Sequence, residues 1–167
     1  MILFLDFDGV LHPDAVYRVP GQGIVLKTAM LPEGYENTFL FCYLPYLESV
    51  LADFPKVSMV LSTSWVSVVG FERARECLSP GLRERVLGAT YHSLYTPNWH
   101  YQTRFEQIFA YVARHRLGGR WLAIDNDPEG WPAAQYENLV LTDDDAGLGD
   151  TAAVSRLRER LASLGAR

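Results

Sequence analysis

Four apolar runs in this 167-residue sequence end in residues that could handle a phosphate group or a hard metal ion. The first ends in Asp6-Phe7-Asp8-Gly9, the next in Ser62-Thr63-Ser64, another in Asp125-Asn126-Asp127 and the last in Asp143-Asp144-Asp145. Two-residue spacing puts Asp6 and Asp8 on the same side of a continuing strand. Carboxylates placed so repel each other unless something compensates them. A hard divalent cation does so, and oxygen-rich, histidine-poor surroundings favour Mg²⁺ over zinc. Asp125 could supply a third protein oxygen. A carboxylate held at such a metal can attack phosphorus and form an aspartyl-phosphate. A second acid two residues on can protonate the leaving oxygen and later activate water. The bland alternative is that the two acids only terminate a strand and cap a turn. The immediate glycine and the acids at the end of a later run favour the chemical reading.

Ser62 directly follows the run 57–61, and Thr63 comes next. A hydroxyl and the backbone N–H groups of a tight strand-to-helix turn can hold phosphate oxygens. Taken alone, Ser62 reads equally as a helix N-cap. Phosphoryl transfer also calls for a fixed cation on the transferring oxygens. Lys27 and Lys56 are the only lysines. Lys56 and Arg120 precede apolar runs and so fall on the opposite sheet edge. Arg104 opens the helical segment that leads to Asp125, and its guanidinium can bind phosphate through two parallel hydrogen bonds. The alternative for Arg104 is a solvated surface pair.

These residues need elements to position them. Residues 2–7, 57–61, 121–124 and 139–141 read as short buried strands, with a weaker one over 86–91. Residues 15–27 hold two β-prone runs around Pro20-Gly21, a hairpin pattern. Helical spacing covers 45–54, shorter stretches at 71–78 and 81–86, and 103–116. In the last of these Thr103 and Glu106 form a capping pair, and Phe105, Ile108, Phe109 and Val112 make one stripe. An amphipathic helix is expected over 151–164. Alternating strands and helices predict an α/β fold with a parallel sheet in one domain, residues 1–167. In such sheets ligands sit beyond the carboxyl ends of the strands, where the acids and hydroxyls cluster. With 49% apolar and 21% charged residues the chain is ordinary globular protein. Fifteen Lys and Arg against twenty Asp and Glu give a net charge of −5, which argues against non-specific nucleic-acid binding. Cys42 and Cys77 read as reduced thiols. The sequence shows neither a leader pattern nor a membrane-length apolar run, so a cytoplasmic protein without a membrane partner is expected.

The order DFDGV at 6–10, a strand ending in Ser62, a cation opening a helix and a strand ending in Asp125 resembles the four motifs of the haloacid dehalogenase-like phosphohydrolases. More narrowly, FLDFDGVLHP with LSTSW resembles the domain of that type in Swiss army knife RNA-repair proteins. The resemblance implies a Rossmann-like sheet with the Asp6 strand central, a flap hairpin over about 12–28 and no large cap domain. It implies Asp6 as nucleophile and Asp8 as general acid and base. Mg²⁺ would be held by the Asp6 carboxylate, the Asp8 carbonyl and Asp125, with Asp127 a further candidate, and Ser62, Thr63 and Arg104 would hold the phosphoryl group. Two departures stand out: arginine where the family usually has lysine, and Asn126 beside Asp125. The expected substrate is a phosphate monoester, either a small molecule or a nucleic-acid end. A non-catalytic phosphate-binding or protein-interaction module on the same fold is the rival. Asp143 to Asp145 are expected in a solvated loop. Tyr17, Trp65, Tyr91, Trp99, Tyr101 and Trp131 could stack on bases or pack the core. His12, His92 and His100 could contact substrate or be structural.

Overall fold

The strand that carries the two acids is the middle of the sheet. In the computed structural model, which describes residues 1–165, β1 (Ile2–Leu5) lies between β4 (Ser58–Leu61) and β6 (Trp121–Asp125), parallel to both. The edges are β5 (Val86–Ala89) and β7 (Leu139–Leu141), giving the order β5-β4-β1-β6-β7, all parallel. Register sets Leu5 against Leu61 on one side and Ile124 on the other. Asp6, Ser62 and Asp125 therefore leave the sheet at the same level. The central strands read as continuous apolar runs because both faces are covered.

Period-two alternation divides the core. Leu3, Leu5, Met59, Leu61, Leu122 and Ile124 face α1 (Leu44–Ala52) and α6 (Thr151–Ser163). Phe4, Val60 and Ala123 face Ile108 and Val112 of α5 (Arg104–His115), with Trp121 and Trp131 alongside. Sequence signals explain the helix starts. Pro45 sits in the first turn of α1, and Asp150 caps α6 by accepting from the N–H groups of Ala152 and Ala153. Thr103 accepts from Glu106 N–H while the Glu106 carboxylate accepts from Thr103 N–H, the reciprocal cap expected from the sequence. The expected four-residue stripe on α5 needs one correction. Phe109 is 47% exposed and stacks on Phe105 rather than joining the core.

The hairpin forms outside the main sheet, from β2 (Val16–Val19) and β3 (Gly23–Leu26). Between β4 and β5 the chain makes three short helices, α2 (Trp65–Val69), α3 (Phe71–Glu76) and α4 (Pro80–Arg83). The first of them follows the strand-to-helix turn expected at Ser62, but its range is not legible in the sequence, because α2 is only a turn and a half. Among the described residues neither insertion forms a large cap, and no helix is long and apolar enough to cross a membrane.

Candidate active site

After β1 the chain turns back sharply. Val10 and Leu11 N–H both donate to the Phe7 carbonyl. Gly9 makes the turn at φ +66°, and a Cβ there would lie 2.5 Å from Asn126 Cγ. Conformation and space both demand glycine. The turn is tied to the far end of the chain. Thr142 Oγ1 donates to the Gly9 carbonyl at 2.8 Å, Leu148 N–H to Val10 at 2.9 Å, and Asp14 N–H to Asp144 at 2.8 Å. The loops following β1, β6 and β7 thus close over the carboxyl edge of the sheet.

Arg104 is the first residue of α5, and the capped helix start aims it at this edge. Its Nη2 donates to Asp6 Oδ2 at 3.0 Å, and its Nε lies 3.0 Å from Asp125 Oδ2. The second contact is off-axis, a charge contact rather than a hydrogen bond, since both atoms are buried without a hydrogen-bond partner. Nη1 reaches Gln107 Oε1 at 3.2 Å, and Gln107 is itself fixed by donating to the Trp99 and Gln102 carbonyls. Burial works against the arginine charge, but Asp6, Asp125, Asp127 and Asp8 together hold its pKa above the usual value. Burial raises the Asp6 pKa, Arg104 opposes that rise, and the neighbouring Asp8 charge adds to it. Asp125 is pushed well above the ordinary aspartate range by burial and then by Asp6. When both are ionised, two dry carboxylates sharing one guanidinium leave a negative charge uncompensated.

These residues line an open cleft of about 490 Å³ whose walls include Asp6, Asp8, Asp14, Asp127 and Asp144, against Arg104 as the one basic side chain. Asp125 is fully buried beneath it and accepts from Asp127 N–H at 3.0 Å. The Asp127 carboxylate caps the next turn by accepting from Glu129 N–H. Of the three hydroxyls after β4, Ser64 lines the cleft. Thr63 helps to favour the charged form of Asp6, and its hydroxyl accepts from Trp65 N–H at 3.4 Å. Ser62 Oγ is buried with no hydrogen-bond partner and lies outside the cleft lining. Period-two spacing from Ser62 would have pointed to Ser64.

Asp143 and Asp144 lie exposed in a loop, as expected, and from there Asp144 Oδ1 accepts from Asn126 Nδ2 at 2.9 Å on the cleft wall. Asp143 caps the same loop by accepting from Asp145 and Ala146 N–H. Asp14 was not foreseen, because only the locking of the two loops brings it to the site. Among the aromatics, Trp99 and Trp131 are core residues, while Tyr101 is 89% exposed. Trp65 packs in the core and His12 is a buried structural residue, one of the two alternatives expected of each, but both also do something more. Both are buried, and both donate to Asp8 Oδ1, Trp65 Nε1 at 2.7 Å and His12 Nε2 at 3.1 Å. The four-residue step from Asp8 to His12 was the available signal.

The donor set suits a hard cation in its chemistry. Among the described residues no three His, Cys, Asp or Glu side chains converge as a ready-made cage. A set of two carboxylates and a main-chain carbonyl needs no such cage. The buried Asp125 Oδ2 without a hydrogen bond, and the uncompensated charge, fit oxygen-ligated divalent metal.

Searches of curated proteins and of solved structures gave no match. A family model does match, over residues 2–153, and its description is the HAD domain in Swiss Army Knife RNA repair proteins. That match takes in every strand of the sheet and each of the residues just described, so the chain belongs to the family of HAD domains found in Swiss Army Knife RNA repair proteins.

Proposed function

We propose that this protein is a Mg²⁺-dependent phosphohydrolase that cleaves phosphate monoesters at nucleic-acid ends through an aspartyl-phosphate on Asp6. The observation that carries the reading is Arg104, which reaches both Asp6 and Asp125 at 3.0 Å. A module that only bound phosphate would not need its cation committed to the carboxylates. The Asp6 carboxylate, the Asp8 carbonyl and Asp125 would hold the cation, with Asp127 at the edge of that set. When bound, Mg²⁺ supplies positive charge against the carboxylates and the phosphoryl oxygens.

In the first step an Asp6 oxygen attacks phosphorus, the ester P–O bond breaks, and Asp8 gives its proton to the departing oxygen. In the second step Asp8 takes a proton from water as the water oxygen attacks phosphorus. The Asp6–phosphorus bond breaks, returning the carboxylate and releasing phosphate. Arg104 offsets the Asp6 charge during both steps, and its two remaining N–H groups are free for phosphoryl oxygens. Thr63 and Ser64 supply hydroxyl donors beside Asp6 and Asp8. The family's link to RNA repair and the uncapped cleft support a polymer end as substrate. A terminal phosphate can be held by the metal and Arg104 without a long basic groove, so the net charge of −5 is no obstacle.

The test compares 3′- and 5′-phosphorylated oligonucleotides with free nucleotides, sugar phosphates and an aryl phosphate, with Mg²⁺ and with chelator. Metal-dependent release that is fastest from an oligonucleotide end, and abolished by Asp6→Asn, is expected. No release from any substrate would refute the hydrolase. Equal turnover of small metabolites would refute the polymer end and leave a small-molecule phosphatase.

A further inference from the structure

Asp8 is held unlike any other carboxylate of the cleft. Its Oδ1 accepts both the Trp65 indole N–H and the His12 ring N–H, while Oδ2 meets only Ser64 Oγ, at 3.5 Å. The identity of the histidine donor follows from its other nitrogen. Phe41 N–H donates to His12 Nδ1 at 3.2 Å. A backbone N–H can only donate, so Nδ1 carries a lone pair and the ring proton of neutral His12 sits on Nε2, facing Asp8. Phe41 presents that N–H from a left-handed conformation, φ +65°, which is uncommon for a residue other than glycine. Its ring packs edge-on against Phe7, His12 and Trp65. The residue whose N–H sets the His12 tautomer thus holds a sparsely populated backbone conformation.

We infer that His12 and Trp65 are positioning residues that leave Asp8 Oδ2, on the cleft side, as the oxygen that carries the transferable proton. This rests on the proposed role of Asp8 as general acid. Two N–H donors occupy the lone pairs of Oδ1, so a proton taken up by the carboxylate goes to Oδ2. Oδ1 faces the buried pair, and Oδ2 faces Ser64, which is part of the cleft wall. A carboxylic acid free to rotate would spend part of its time with its O–H directed away from the substrate. Such control matters most for substrates whose leaving group cannot depart as an anion. The clamp therefore suits esters of aliphatic alcohols, such as sugar hydroxyls, rather than esters of acidic phenols.

The test measures kcat/KM, which reports the step up to aspartyl-phosphate formation, for aryl phosphates of graded leaving-group acidity and for an alkyl phosphate. Trp65→Phe keeps an aromatic ring in place and removes the indole N–H. His12→Gln keeps a donor at similar reach, whereas His12→Leu removes it. Trp65→Phe and His12→Leu should lower turnover of the alkyl ester by roughly tenfold to a hundredfold, a part of what a general acid supplies, and should leave the most acidic phenol within about threefold. His12→Gln should recover much of the loss. Equal losses across the series would mean that the pair serves folding alone and would overturn the inference, as would no loss anywhere. An independent reading uses ¹⁵N NMR of the unmodified protein and of Asp8→Ala, which needs no turnover. His12 should show the Nε2–H tautomer, and the Trp65 indole N–H should lose its exchange protection in Asp8→Ala. An Nδ1–H tautomer or an unchanged indole would overturn the clamp itself. Wild-type inactivity on every ester, with the NMR signature present, would instead reject the hydrolase reading.

Discussion

Arg104→Met is the most informative single change to the charge balance of the cleft. Methionine keeps most of the aliphatic stem, so packing is largely conserved and the charge is removed. Two contacts at 3.0 Å disappear, and the carboxylates left behind, Asp6 and Asp125, have side chains only 4% and 1% exposed. Breaking a buried pair from one side typically costs about 3–5 kcal/mol, a large share of the 5–15 kcal/mol by which a typical domain is stable. The cost should depend on pH, with a definite sign. Asp6 and Asp125 already titrate above 3.8 in the folded protein, and losing the guanidinium raises both further. The folded variant then binds more protons than its unfolded chain, so its stability falls as pH rises through those raised values. Each extra proton changes stability by about 1.4 kcal/mol per pH unit. Urea unfolding of both proteins at about pH 5 and about pH 8 reads this directly, and the gap between them should be wider at the higher pH. Mg²⁺ should restore part of the stability of the variant. A loss below about 1 kcal/mol at the higher pH, the size of a solvent-exposed pair, would refute the role of Arg104 as charge partner. So would a gap that does not change with pH.

Gly9→Ala should destabilise by about 2–3 kcal/mol in urea unfolding, combining the left-handed backbone cost with the lost Asn126–Asp144 hydrogen bond. Adding Asn126→Gly should relieve the steric part of the Gly9→Ala cost and leave the backbone part. Burial first, then the charges of Asp8, Asp144, Asp6 and Asp145, raises the Asp14 pKa to about 6. A raised acid stabilises the fold only while protonated, so this contribution is lost as pH rises from 3.8 through about 6. Asp14→Asn should therefore raise Tm at neutral pH and give no gain below that window, as thermal melts across the range would show.

The sheet was readable because its strands are apolar on both faces and end in a change to polar residues. The positions of Asp6, Asp125 and Arg104 follow from those run ends and from the Thr103–Glu106 cap. Three parts were not readable, each for a different reason. Ser62, Thr63 and Ser64 are equivalent by type, and only the geometry of the turn after β4 decides which hydroxyl meets the cleft. Asp14 and Asp144 reach the site through hydrogen bonds between loops more than a hundred residues apart in sequence. Trp65 and His12 look like core aromatics by composition and are buried like them. Their polar edges acquire meaning only because Asp8 ends up between them. Phe109 fits the helical period, but the core beneath α5 is already filled by Ile108, Val112 and the two tryptophans.

The central place of β1 has a consequence for the order in which the molecule can be made. Its two neighbours in the sheet begin at Ser58 and Trp121, so the strand bearing the proposed nucleophile is synthesised well before either partner. The turn that follows it waits longer still, since the hydroxyl that holds the Gly9 carbonyl belongs to a residue 133 positions later. Such distant pairings fold slowly and leave apolar strand exposed meanwhile. A nascent chain stalled anywhere before β7 would carry both acids but no closed turn to orient them. The chemistry proposed for this edge would thus need a chain synthesised through Thr142.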